Sequence, residues 1–177
     1  MESKEPTRSQ RFVAAMLEQC ARDKGFAARL RRADNPDTEP YAYGILCAFG
    51  VDLKQDEERC PFALIGAALS RDKRGRDGDL GLGEALRHCV EDEEQGAARL
   101  RRLLVCRRQE EVCRLLRPLL AYMAAKEAPL CHARLLDELL DFPSEKARRR
   151  IRLRWAQGYY GHDVEDETAE KGEACAS

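Results

Sequence analysis

Residues 144–160 read SEKARRRIRLRWAQGYY. Ile151, Trp155 and Tyr159 recur there at four-residue spacing, and Arg148 with Arg152 and Arg150 with Arg154 repeat that spacing on two further rows. Residues four apart lie above one another on a helix, so the stretch predicts a helix with one apolar stripe beside two arginine rows. Ser144 offers a side-chain oxygen to the first free backbone amides and marks the start. The same pattern extends back through the chain. Pro129 predicts the opening of a helix carrying Leu135, Leu136, Leu139 and Leu140 inward. A longer helix is expected from Gln109 to about Lys126 through Val112, Leu116, Leu119 and Met123, with Pro118 kinking or splitting it. Asp92 reads as an N-cap, with Gln95 completing a capping box, ahead of Leu100, Leu103 and Leu104.

Towards the N-terminus the elements are shorter. Leu80 to Val90 (LGLGEALRHCV) predicts a short helix whose glycines imply close packing or a turn at its start. Residues 72–79, DKRGRDGD, are a loop by content. A helix is expected over Asp56 to Arg71 with Phe62, Ile65 and Leu69 inward, and another from near Pro40, where Tyr41, Ile45 and Phe49 form the stripe and Gly50 ends it. Phe26, Leu30 and Ala33 belong to a short helix stopped by Asn35-Pro36. Phe12, Met16 and Cys20 mark a first helix over Arg8 to Arg22, interrupted by Gly25. Only 12 residues are Val, Ile or Thr, too few to fill a pleated sheet surface. The fold class is therefore all-α, and the layout suggests two small helical units. Residues 1–90 form the first and 91–162 the second, with the acidic stretch Glu91 to Glu94 between them.

The net charge of -1 conceals a segregation. Residues 163–177 hold six acids and one lysine, which predicts a disordered acidic tail and leaves +4 on residues 1–162. Arg99 to Arg117 contains seven arginines against two glutamates, and Arg148 to Arg154 five arginines with no acid. Such patches attract polyanions whatever the overall charge.

Several function classes find no support. G-x-S-x-G, Walker, G-x-G-x-x-G and H-E-x-x-H patterns do not occur, and GLGEAL at Gly81 to Leu86 has no strand ahead of it. The three histidines stand far apart, and His132 with Asp137 or Glu138 is at most a stray acid–base pair. No C-x-x-C pair exists, so neither a catalytic residue nor a metal or other cofactor is expected. The eight cysteines are scattered through helical patterns; Cys47, Cys89, Cys106 and Cys113 read as small buried or half-buried hydrophobes in a reducing cytoplasm. No apolar run reaches membrane-spanning length.

The arginine clusters carry the functional reading. A guanidinium is a planar fork that fits two phosphate oxygens. Several forks can follow a phosphate backbone without reading bases. The nucleic-acid-binding candidates are Arg31 and Arg32; Lys73, Arg74 and Arg76 in the loop; and Arg101, Arg102, Arg107 and Arg108. Arg114 and Arg117 lie in the same central stretch. The competing readings are a helical adaptor whose arginines bind acidic protein surfaces, and arginines that merely solvate helix faces. Arginines beside Trp155 and Tyr159 also suit a protein contact.

Four stretches, in this order, carry a likeness: RLRRADNPDTEPYAYGIL (Arg29–Leu46), LGLGEAL (Leu80–Leu86), RLRRLLVCRRQEEVCRLLRPLL (Arg99–Leu120) and RRRIRLRWAQGYYG (Arg148–Gly161). Together they resemble the CasB family, the small subunit of Cascade, the type I-E CRISPR surveillance complex of antiviral defence in bacteria. The resemblance implies a non-catalytic, all-helical cytoplasmic subunit of two small closely packed helical bundles. It implies a large subunit, backbone subunits and a second copy of the chain as partners, with guide RNA and target DNA. It further implies that Arg31, Arg32, Arg101, Arg102, Arg107 and Arg108, and more loosely Lys73, Arg74 and Arg76, support target DNA and the displaced strand of the R-loop. The acidic tail is not part of the family pattern.

Overall fold

The computed structural model describes residues 5–161; the acidic tail expected over 163–177 lies outside them. The helices are α1 (Arg8–Arg22), α2 (Lys24–Arg31), α3 (Tyr43–Ala48), α4 (Asp56–Leu69), α5 (Leu82–Cys89), α6 (Glu93–Leu104), α7 (Gln109–Ala125), α8 (His132–Asp141) and α9 (Glu145–Tyr160). Two 3-10 turns, Arg32–Asp34 and Glu39–Ala42, link α2 to α3. Among the described residues the one β-type pairing is an isolated bridge between Leu80 and Leu130, so the protein is all-α.

Helix α4 runs through the middle. Every residue from Pro61 to Ser70 is buried, as expected of a helix that is apolar on all sides. It packs against α1, α2, α7 and α8. Phe12 of α1 meets Phe62 of α4 edge to face at 4.8 Å and Phe49 at 5.1 Å. The most extensive helix pairing is α5 on α9. Gly83 makes it possible: a Cβ there would stand 2.0 Å from the Trp155 carbonyl oxygen, so a side chain would force the two helices apart. The two glycines of LGLGEAL thus divide the two expected roles: Gly83 serves close packing and Gly81 caps the start of α5. Ile151, Trp155 and Tyr159 are all buried, and α9 places the Trp155 ring beside Phe142 at 6.2 Å.

Several boundaries differ from expectation for identifiable reasons. The break between α1 and α2 falls at Asp23, whose carboxylate accepts from the Gly25 amide at 2.7 Å; Gly25 itself sits inside α2. Pro129 does not open α8. The Pro129 carbonyl accepts from Leu80 N–H at 3.0 Å and the Leu80 carbonyl from Cys131 N–H at 2.8 Å, so this segment is extended and α8 starts at His132. Pro118 does not split α7, where Leu116, Leu119, Leu120 and Met123 are all buried and outweigh one missing hydrogen bond. Gln95 forms half the expected capping box: Asp92 accepts from the Glu94 and Gln95 amides, but the Gln95 side chain returns to the Asp92 carboxylate. Cys47 is exposed on α3, contrary to expectation, whereas Cys89, Cys106 and Cys113 are buried. Burial pushes the Cys113 thiol up to about 12.

Tyr41 is the most informative departure. Its spacing puts it at the head of a stripe with Ile45 and Phe49, yet it is 57% exposed. Residues 39–42 form a 3-10 turn, which advances about 120° per residue rather than the α-helical value of about 100°. The i, i+4 register from Tyr41 is therefore broken before α3 begins, and the ring turns outward.

Candidate nucleic-acid interface

The first candidate group stands at the end of α2. Arg31 and Arg32 are both exposed. Arg31 donates from Nη2 to the Ser70 carbonyl at 3.0 Å, and the Arg32 guanidinium lies 4.4 Å from the Tyr41 ring centroid. Neither is ion-paired among the described residues.

The second group is the loop between α4 and α5. Asp77 anchors it: its two oxygens accept from His132 N–H at 2.7 Å and Ala133 N–H at 3.1 Å, capping α8 from a distance, and Oδ1 also lies 3.0 Å from His132 Nδ1. Burial works against the Asp77 charge, but the His132 ring and the two amides outweigh it and hold the carboxyl below its usual value. His132 is therefore a buried hydrogen-bonded histidine and is not paired with Asp137 or Glu138. Gly78 fits beneath because a Cβ would stand 2.0 Å from the Pro129 carbonyl oxygen. Above this anchor Lys73 and Arg76 are exposed. Arg74 differs, since it closes on Asp72 through Nε at 3.2 Å and Nη2 at 2.5 Å, and its side chain is only 16% exposed.

The third group spans α6, α7 and their link. Arg101 and Arg102 emerge from the last turn of α6, and Arg107 and Arg108 from the link; all four are exposed. Arg108 pairs with Glu110 at 2.9 Å, a solvated pair that contributes little. Arg102 shares a groove with Arg99, whose guanidinium lies 4.6 Å over the Tyr122 ring. Arg107 and Arg108 line a cleft of about 630 Å³ together with Arg59, Arg114 and Arg117. Acids enter the same cleft: Glu39 and Asp56 are both tied to Arg59, and Glu110 to Arg108, which leaves Glu57. The Arg117 Nε is buried and has no hydrogen-bond partner among the described residues. The cleft thus gathers Arg107, Arg108, Arg114 and Arg117, while Arg31, Arg32, Arg101 and Arg102 are not among its lining residues.

One contact escaped the sequence reading. Arg152 of α9 donates through Nη2 to the Cys106 carbonyl, next to Arg107. Burial lowers its pKa from the ordinary arginine value, as do the charges of Arg148 and Arg107. Arg107, Arg148 and Arg152 therefore concentrate like charge where the α6–α7 link meets α9. The i, i+4 spacing of Arg148 and Arg152 was visible in the text of the sequence. The hydrogen bond to Cys106, 46 residues away, was not.

Among the described residues no group of three or more His, Cys, Asp or Glu side chains is arranged to hold a metal ion. No described helix is long and apolar enough to cross a membrane.

Comparison with known proteins follows the same outline. The family model for the CRISPR-associated protein Cse2 matches residues 27–160. CasB from Thermus thermophilus superposes with a TM-score of 0.65 at 26% identity, covering 86% of this chain and 97% of that one. A second structure from Thermus thermophilus, a CRISPR-associated protein of the Cse2 family, gives 0.66 at 25% identity with the same coverage. CasB from Thermobifida fusca gives 0.65 at 19% identity over 88% of this chain and 99% of that one, a likeness of fold. No curated protein sequence matches this chain.

Proposed function

The chain belongs to the family of the CRISPR-associated protein Cse2, and from that premise we propose that it holds nucleic-acid backbone as the small subunit of a type I-E Cascade. The family is non-catalytic, and its general role is that of the Cascade small subunit. The finer reading is that the arginine surfaces stabilise target DNA and the displaced strand of the R-loop. One observation carries it. Arg101, Arg102 and Arg107 are exposed on one helix end and the link that follows it, and no described carboxylate pairs with their guanidinium groups, the Glu111 carboxylate reaching only the Arg107 backbone amide at 3.3 Å. Solvated helix faces usually mix their charges. Unpaired arginines kept together in that way suit phosphates instead.

The role asks for no base readout. Sequence recognition in such complexes belongs to guide-RNA pairing, and R-loop formation is close to balanced, so a few phosphate contacts shift it. The large subunit, the backbone subunits, a second copy of the chain, the guide RNA and the target DNA are the partners this reading requires. A second reading, contact with a protein surface, is favoured by Val105 and Leu153. They are 74% and 63% exposed, and their neighbours Cys106 and Arg152 are hydrogen-bonded to each other. Apolar side chains framed by arginines suit a subunit contact.

The test replaces Arg101, Arg102, Arg107 and Arg108 with alanine and follows target-DNA dissociation from the assembled complex at several salt concentrations. Dissociation should quicken about equally for unrelated sequences. The salt slope should fall by roughly 0.7 to 0.9 for each phosphate no longer neutralised. An unchanged lifetime and slope, with the subunit still incorporated, would discard these four as phosphate partners and favour the protein-surface reading.

A further inference from the structure

Tyr41 has no role in the reading above. It is 57% exposed although the Arg32 guanidinium lies 4.4 Å from its ring centroid. One face is covered by that guanidinium, so the open surface belongs to the other face and the hydroxyl edge.

The ring stands on a stiff mount. Pro40 fixes its own φ immediately before it. Glu39 is buried and accepts from Arg59 Nε at 2.8 Å, while its amide donates to the Asn35 carbonyl at 2.7 Å. The Tyr41 amide donates to the Thr38 carbonyl at 3.1 Å, and the Thr38 hydroxyl donates to the Arg32 carbonyl at 2.8 Å. Ala42, the next residue, is wholly buried. The turn and the end of α2 are thus tied to each other and to α4. Little ordering remains to be done when a ligand meets the ring.

Stacking on a ring leaves a guanidinium's N–H donors free, because they lie in its own plane. Arg32 can therefore back the ring and still donate to a phosphate. An aromatic face beside such a fork has the features that hold an unpaired nucleotide: the base lies on the ring and the charge meets the backbone. Paired bases present no free face to such a ring, so the site selects single strands. We propose that Tyr41 is a stacking platform for one unpaired base of single-stranded nucleic acid, with Arg32 backing the ring and holding the adjoining phosphate. This rests on the backbone-binding reading above and adds a base contact that tolerates any sequence.

The test uses the full chain and two fluorescent ligands: an oligothymidylate of about 15 nucleotides, within the usual span of single-strand sites, and a chain of equal length made of abasic deoxyribose phosphates. Tyr41→Ala should weaken oligothymidylate binding roughly fivefold or more, leave the abasic ligand within about twofold, and leave the melting temperature unchanged. Its salt slope should match that of the unaltered chain, because every phosphate partner is retained. Tyr41→Phe should bind both ligands nearly as the unaltered chain does, since the ring is kept. Equal weakening for both ligands overturns the proposal, because the effect would not depend on a base. Normal binding of both by Tyr41→Ala also overturns it, because the ring then contributes nothing to holding the strand. Failure of the underlying reading looks different: the unaltered chain then shows no salt-dependent binding of either ligand, which removes both proposals together.

Discussion

Arg148 to Arg154 on α9 and Arg99 to Arg117 across α6 and α7 look alike as text, both dense in arginine. On α9 three of the five side chains turn back into the protein, while Arg149 and Arg150 are exposed. Arg148 reaches the Phe142 and Pro143 carbonyls, Arg152 the Cys106 carbonyl and Arg154 the Glu138 carboxylate. Across α6 and the following link, the guanidinium groups of Arg101, Arg102 and Arg107 stand in water without a described carboxylate partner. Glu138 explains much of the contrast. It is 4% exposed and accepts from Trp155 Nε1 and Arg154 Nη1, each at 2.7 Å. A buried carboxylate needs such partners, and it recruits them from the helix packed over it. Among the described residues no buried acid sits beneath the end of α6 to do the same. Local arginine density therefore does not reveal which side chains are held; what lies under the helix decides it.

The largest expected effect tests the α9 half of this contrast. Trp155 is 1% exposed, so Trp155→Ala should cost about 3–5 kcal/mol through the cavity it leaves. It also strips one partner from Glu138. An unchanged denaturation midpoint in urea would mean that α9 is not the buried side of the comparison.

A middle-sized effect sharpens the contrast inside a single loop, where Asp77 is built in while Lys73 and Arg76 are not. Asp77→Asn removes the charge and sets an NH2 donor against one of the two helix amides, so it should lower stability by about 1–3 kcal/mol, the range for leaving a buried polar group unsatisfied. The folded Asp77 carboxyl is held below its usual value, so its contribution is present above the unfolded pKa and is lost as pH falls through the folded one. Thermal melts from neutral pH into the acid range should therefore converge for Asp77→Asn and the unaltered chain. A constant gap between the two would refute the linkage.

The smallest effect compares one arginine from each region. Arg154→Ala should cost about 1 kcal/mol, reduced from a fully buried pair because the Arg154 side chain is 56% exposed. Arg101→Ala should stay within about 0.5 kcal/mol. Equal losses in matched chemical denaturation would erase the distinction between the two stretches.

Much of the fold was legible beforehand because helical periodicity is a local property. The limits of α1, the N-caps Asp92 and Ser144, the buried row Ile151, Trp155 and Tyr159 and the loop at residues 72–79 all rest on residues a few positions apart. Tyr41 and Pro129 were misread because each obeys something other than α-helical spacing: a 3-10 turn in one case, a bridge to Leu80 in the other. For the candidate site, the exposure of Arg101, Arg102, Arg107 and Arg108 agreed with their places off the apolar stripe. Arg74 was a candidate on equal terms with Lys73, yet Asp72 holds it.

The sequence by itself determined the helical class, the separation of apolar stripes from charged rows and the concentration of arginine in two stretches, since composition and spacing act through neighbours along the chain. Tertiary structure decided which arginines are held and which are free. The Arg152 to Cys106, Arg154 to Glu138 and Asp77 to His132 pairings join residues 46, 16 and 55 positions apart. They depend on how helices cross and on which buried polar group lacks a partner. Only the assembled core settles those two things, because burial sets the cost of leaving a charge or a carbonyl unsatisfied.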